Sequence, residues 1–494
     1  MTRTLVGDAA QACIERSLQG IARAAGASLG PDARSVLYAN GSAVDQALSG
    51  VEIARKMTGT SGPATLAPRL LTETLVSAER DLGDGTARLA VLACTTFTLA
   101  QRYATDPLRR LALAEQLDRL RTDIPALLED ERQAGVDDVA VAQAAGAPPA
   151  LAHDLAAAFQ KVGADGGIDV LMEGRPGEVS LNCEAGFTFD ASPVGSAGSA
   201  ALAGSLDDVH VIAANEAISD FGKLVPIIDG FAARRKALLI VARQFDGSAL
   251  AAIERNRDNG AFSIAAVTPE DAGPRAAAII SDLAVACGAT LVDETAGTSL
   301  ASLKPAMLGT AKRLRYDGHR IFLEQPGGDA AAIKARLAEI SDEIDKARYL
   351  AFDRAQAERR HARLGGKWAE LRIGEGSTRQ ARCTESVARS AIACMRSAAR
   401  HGVVPGRGVA LRDLGNRLAA EAGPGVDGDA RRVLKGAFRS IEDHLLRNGR
   451  DDSQRATASD AVQIMDPLRL TEHLIGQAVS LATSLLRIDA MVYK

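Results

Sequence analysis

The 494-residue chain carries 58 Lys and Arg against 62 Asp and Glu, a formal net charge of −4 with the two signs interleaved. Hydrophobic residues make up 47% and charged residues 24% of it, the balance of a globular protein, and its length asks for two to four domains rather than one core. With no basic stripe interleaved with aromatics a nucleic-acid partner is excluded on charge, and no run approaches the ~20 apolar residues of a membrane span.

Aromatics are only 3%, so the core is built from Ala, Leu, Val and Ile. Cys13, Cys94, Cys183, Cys287, Cys383 and Cys394 lie far apart and no pair has CxxC spacing, which argues against a zinc site or a redox pair. Scattered thiols suit a reducing cytosol, and "MTRTLVGDAAQACIERSL" lacks the apolar run of a signal peptide, so a cytoplasmic location is expected.

Residues 9–28 read as a helix with Cys13, Ile14, Leu18, Ile21, Ala22 and Ala25 on one face, stopped at Gly30 and Pro31. "SVLYAN" reads as a short strand, Val51 to Asp130 as mostly helical, and 137–162 as two Ala-rich helices. Near residue 165 the character changes. "GGIDVLM", "VSLNCEAGFTFD", "VHVIAA", "ALLIVARQ", "FSIAAVT" and "ATLVD" are short β-branched runs, with helical stretches at 221–235, 247–260 and 274–288 between them. Strand alternating with helix predicts a separate α/β domain. Residues 329–363 repeat Ile333, Leu337, Ile340, Ile344, Ala347 and Ala351 at helical spacing, as one or two packed helices, before "LGGKWAELRIG" returns to a strand. From Thr384 the chain is helical again. The fold class expected is therefore multidomain, an α/β domain inserted into a discontinuous all-α one.

The corner "LGDGTARLAV" (82–91) has two readings. A helix start offers free N–H groups and a positive dipole end to a phosphate, and Asp84 would suit such a site through a bridging cation. Equally, Asp before Gly-Thr and an apolar run is an ordinary N-cap.

Seven stretches in order decide between unrelated folds: "SLGPDARSV", "GDGTARLAVLA", "GFTFDASPV", "ALLIVARQFDGSALAAI", the hairpin pattern Ala332–Ile344 with Ala362–Gly366, "HGVVPGRGVAL" and "IMDPLRL". Together, over about 450 residues, they resemble the group I (GroEL-type) chaperonins. The resemblance implies an equatorial domain from 1–130 and 401–494, an intermediate domain from 131–184 and 375–400, and an apical domain over 185–374. It implies a ring-forming, ATP-binding chaperone, a homo-oligomer of heptameric rings that takes non-native protein clients and a co-chaperonin.

Residue by residue, the resemblance places Ser28, Leu29, Gly30 and Pro31 against the nucleotide. It makes Asp84 the magnesium ligand, and sets Gly85, Thr86, Ala87 and Arg88 at the phosphates. Gly406, Arg407 and Gly408 form a second backbone approach, and Asp466 accepts from the ribose. Departures concentrate at the chemistry. The family's two Thr after Thr86 are Ala87 and Arg88, and its two catalytic carboxylates fall on Ser49 and Ser390, with Glu385 nearby in another register. A serine hydroxyl is a poor base at neutral pH, so hydrolysis is expected to be impaired although ATP and Mg are the family's cofactors.

The client face would use Leu224, Val225, Ile227 and Ile228 of one helix and Leu250 and Ile253 of the next. Its aromatic positions fall on Pro193, Ala197 and Gly198, and Glu254 and Arg255 stand where two valines are usual, which points to a narrow client range. An alternative is an ATPase-deficient structural or regulatory ring protein that co-assembles with a conventional chaperonin. A metabolic enzyme finds no support: GxGxxG after a strand, GxxxxGK[ST], GxSxG and HExxH are all absent.

Overall fold

Helix α1 (Asp8–Ala27) buries Ala10, Cys13, Ile14, Leu18, Ile21 and Ala25 along one stripe, and Asp8 sits in its first turn where the dipole favours an anion. The computed structural model describes the chain apart from residues 1–2, 31–35, 41–42, 48, 60, 134, 165, 185, 195–204, 221, 223–224, 226–236, 259–262, 317–319, 348–350, 367, 449–463 and 494. Strand β1 (Arg3–Val6) precedes α1, and β2 (Val36–Asn40) and β3 (Ala43–Ala47) follow it as an antiparallel hairpin. Next come α2 (Gly50–Met57), α3 (Leu66–Leu82), α4 (Thr86–Tyr103) and α5 (Pro107–Glu129). Asp106 caps α5, its carboxylate accepting from Arg109 N at 2.9 Å, and Pro107 supplies a first-turn residue with no N–H to satisfy. The short α6 (Asp138–Ala144) and α7 (Pro149–Val162) complete this stretch.

The central part begins with β4 (Gly167–Leu171), β5 (Val179–Glu184), β6 (Gly186–Pro193), β7 (Ser205–Ile218) and β8 (Leu238–Phe245). It continues through α8 (Gly247–Asp258), β9 (Ile264–Pro269), α9 (Pro274–Cys287), β10 (Gly309–Tyr316) and β11 (Arg320–Pro326). The helical hairpin α10 (Ala330–Lys346) and α11 (Ala351–Leu364) and strand β12 (Trp368–Ile373) end it. Six strands close into a barrel in the order β10-β11-β6-β9-β8-β7, with β7-β8 and β8-β9 parallel. The apolar runs are unbroken because these strands are buried on both faces. Leu239 and Val241 of β8 join one core cluster, with Phe189, Val211, Ile280 and Leu283; Leu238 and Ile240 join another, with Ile212, Ile253 and Ile264. The expected strand in "ATLVD" is a single parallel bridge, Val292 to Ala214, because the chain turns into a short 3-10 helix at Glu294.

The last part holds α12 (Thr378–His401), β13 (Val403–Pro405), α13 (Val409–Ala420), α14 (Val426–Asn448), β14 (Met465–Pro467), α15 (Leu468–Leu486) and β15 (Ala490–Tyr493). Its helices pack on those of the first part: α15 on α4 and α5, α14 on α1 and α4. The glutamine of α1, Gln11, donates to the Leu485 carbonyl at 3.1 Å, and β1 pairs with β15. The chain accordingly divides into two compact units, one of residues 1–160, 170–180 and 371–494, the other of 161–169 and 181–370. Among the described residues no helix is long and apolar enough to cross a membrane.

Candidate functional site

Segments far apart in sequence meet in the discontinuous unit around one cleft of about 260 Å³. Ser28, Leu29 and Gly30 come from the end of α1, held there by Asn448, whose side chain donates to the carbonyls of Gly26 at 2.7 Å and Leu29 at 3.0 Å. Pro31 lies outside the described residues. The 83–88 corner forms a second wall, Ser390 of α12 a third, and Arg407, Gly408 and Asp466 a fourth. The last wall exists because β13 pairs with β14, setting Val404 opposite Asp466. Gly406 stands just behind it, its N–H on the Ile464 carbonyl at 2.9 Å. A Cβ there would meet that oxygen at 2.7 Å, so only glycine lets the two backbones approach. Arg407 carries a positive φ of 56°, and its exposed side chain makes no ion pair among the described residues.

The N-cap reading of the 82–91 corner fails. Helix α4 starts at Thr86 with Gly85 as its cap and no side-chain bond to the cap. The Asp84 carboxylate turns instead to Arg88, with Nη2 to Oδ2 at 3.2 Å, while Nη1 of the same guanidinium reaches Asp466 Oδ1 at 2.9 Å. The side chains of Arg88, Asp84 and Asp466 are 14%, 19% and 11% exposed, so this triad is largely withdrawn from water. Burial alone would pull the Arg88 pKa down, but the charges of Asp466 and Asp84 outweigh it and the shift is upward, which keeps the guanidinium charged. Cys394 Sγ donates to Asp84 Oδ2 at 3.4 Å. Desolvation and the adjacent Asp84 push this thiol well above its ordinary pKa, so it stays a neutral donor.

Asp84, expected to hold magnesium, therefore has its Oδ2 already bonded by Arg88 and Cys394. Asp466, expected to meet a ribose, already accepts from Arg88. Among the described residues no group of three or more His, Cys, Asp or Glu is placed to hold a metal ion. As folded, Asp84 Oδ2 is not open to a divalent cation, because the Arg88 guanidinium and the Cys394 thiol already hold it.

The two serines at the expected carboxylate positions both line the cleft. Ser49 caps α2, accepting from Glu52 N at 3.3 Å, and Ser390 Oγ donates to the Gly83 carbonyl at 3.2 Å. Glu385 lies outside the lining and pairs with Arg389. Thr86 Oγ1 accepts from Gly50 N at 3.1 Å, which leaves its own hydroxyl proton to donate. Glu79 and Gln143 to Gly146 line the cleft without a mark in the sequence, and Cys394, read there only as one of six scattered thiols, touches Asp84. Glu79 lines the cleft with Ser49, a carboxylate brought from α3 beside the position where one is missing. Nothing in the local sequence of α3 marks it.

No protein-family model matches the chain. Among solved structures it is similar to the chaperonin gp146 from the bacteriophage EL 2 (Pseudomonas aeruginosa), determined in the presence of ATP-BeFx in two crystal forms. The first has a TM-score of 0.65 at 16% identity, covering 99% of this chain and 98% of gp146. The second has a TM-score of 0.57 at 17% identity, with the same coverage. The chain has the chaperonin fold.

Within that chaperonin fold the expected client face is only partly described. Leu224, Ile227, Ile228, Ala197 and Gly198 lie outside the described residues, and Val225, Leu250 and Pro193 are half-buried. Ile253 does not present itself to a client: it is 2% exposed and packs in the core with Ala249 and Ile264, the inward face of α8.

The thiols give a direct check on burial. Desolvation raises Cys94 and Cys287 to about 12, while Cys383 is only half-buried. Iodoacetamide at pH 8 on the native chain is expected to modify Cys383 and to leave Cys94, Cys287 and Cys394 unlabelled until denaturant is added, read by peptide mass spectrometry.

Proposed function

We propose that the chain is the subunit of a ring-forming, chaperonin-type molecular chaperone acting in the cytoplasm. It binds adenine nucleotide in the cleft and turns it over very slowly or not at all. Residues 1–130 and 401–494 serve as the equatorial part, 131–184 and 375–400 as the hinge, and 185–374 as the client-binding part. The subunits assemble as heptameric rings, take a narrow set of non-native clients, and meet a co-chaperonin. One observation carries this reading: Leu29, Asp84, Thr86, Arg407, Gly408 and Asp466, drawn from both ends of the chain, line one cleft. The chaperonin gp146, solved with an ATP analogue present, supports nucleotide as the ligand.

A second reading, an ATPase-deficient structural or regulatory ring protein that joins a conventional chaperonin, is favoured by the serines. Each has a hydrogen-bond task of its own, and neither supplies a carboxylate to activate water. Phosphate release from ATP with magnesium and potassium, beside a Ser390→Asp variant, separates the two. Release by the unmodified chain that rises with unfolded protein supports an active folding machine. Rings in electron micrographs without release support the second reading. Absence of both rings and nucleotide binding overturns the proposal.

A further inference from the structure

The Arg88 guanidinium lies between Asp84 and Asp466, bonded to both, and holds an oxygen of the carboxylate expected to carry the cation. A divalent ion bound at Asp84 would stand against this fixed charge and would have to displace it. The displaced guanidinium would then remain largely buried without its partners, an arrangement that is strongly disfavoured. The alternative keeps the guanidinium beside Asp84 and exchanges only its Asp466 bond for a phosphate. Arg88 lies in the first turn of α4 and lines the cleft with Thr86 and Ala87, and Arg407 adds a second guanidinium with no ion pair among the described residues. One held guanidinium with a second, exposed one on the same cleft is a means of holding polyphosphate directly.

Resting on the nucleotide reading above, we propose that this cleft takes a nucleoside polyphosphate free of divalent metal, with Arg88 as its built-in counter-ion. The cation that a metal-dependent site borrows from solution is here part of the chain. On binding, Arg88 keeps Asp84 and turns its other nitrogens to the phosphates, which frees the Asp466 carboxylate for the ribose hydroxyls.

The test is calorimetric titration of the full chain with ATP, in EDTA and again in magnesium chloride. The expected result is a dissociation constant that agrees within about threefold, well under the tenfold that corresponds to 1.4 kcal/mol. Binding seen only with magnesium overturns the proposal and leaves the nucleotide reading standing. No binding in either buffer overturns both. In Arg88→Gln, affinity in EDTA is expected to fall at least ~30-fold, the lower end for truncating one member of a buried charge pair. A fall of similar size that magnesium fully restores in the variant, and not in the unmodified chain, supports Arg88 as the counter-ion. Since that variant can fail to fold, manganese binding to the unmodified chain is measured by electron paramagnetic resonance. No stoichiometric site is expected, and one that disappears in Asp84→Asn overturns the proposal.

Discussion

Asp282→Ala is expected to destabilise the barrel-containing unit by about 3–5 kcal/mol, the cost of stranding buried charge. Asp282 is 1% exposed on α9 and holds two guanidiniums: Arg336 Nε of α10 at 2.8 Å, and Arg360 of α11 at 2.6 Å and 3.1 Å. Removing it leaves both cations without the anion that fixes the helical hairpin to α9. The alanine gains at most ~0.7 kcal/mol in helix propensity, which is too small to offset the loss. The measurement is simplified by composition. The chain has one tryptophan, Trp368, which lies in this unit, 4% exposed, its indole N–H on Asp169 at 3.0 Å. Urea unfolding followed by its fluorescence reads this unit alone. A triple variant, Asp282→Leu with Arg336→Met and Arg360→Met, is expected to recover most of the stability, because apolar replacement of a whole buried cluster is near neutral. A single variant within ~0.5 kcal/mol of the unmodified chain would show that water reaches the cluster.

Gly50→Ala acts on the cleft through backbone. A Cβ at Gly50 would stand 2.5 Å from Ala87 N and from Thr86 C, and 2.7 Å from the Thr86 carbonyl oxygen. No flexible side chain is there to yield, so α2 must move away from the start of α4 and lose the Gly50 N to Thr86 Oγ1 bond. Alanine is the better helix former by ~1 kcal/mol. The steric cost of ~1–3 kcal/mol, added to the broken hydrogen bond, exceeds that gain. Thermal unfolding is expected at lower temperature, and ATP affinity reduced about tenfold for each 1.4 kcal/mol lost at the corner. Gly135→Ala, where nothing lies within 4 Å of the new carbon, is the control and changes neither.

Helix α1 was legible because it carries an apolar stripe at its own period, whereas α2 to α5 were read only as one helical stretch. The central α/β character was legible for the same reason. Closure of the strands into a barrel was not, since pairing β6 with β9 or β10 with β7 joins residues about 75 to 110 apart and leaves no local mark. Ile253 shows another limit: one apolar residue on an amphipathic helix satisfies an inward face and a binding face equally, and only packing tells them apart. Much of the candidate cleft could be assembled from four of the seven matched stretches, those around Leu29, Asp84, Arg407 and Asp466. Its electrostatics could not, because Arg88 and Asp466 are 378 positions apart and nothing in "DGTAR" reveals that the arginine will be held by an aspartate near the other end.

That separation bears on biosynthesis. As the polypeptide leaves the ribosome, α1 and α4 emerge long before α14 and α15, the helices that cover them, have been translated. The barrel unit draws on residues 161–169 and 181–370 only and is fully synthesised while the nascent chain still lacks its last quarter. Its core can therefore consolidate first, whereas the cleft waits for Asp466. Until then the apolar stripes of the early helices stand uncovered, and a chain with the chaperonin fold passes through a stage in which its own greasy faces are open to wrong partners.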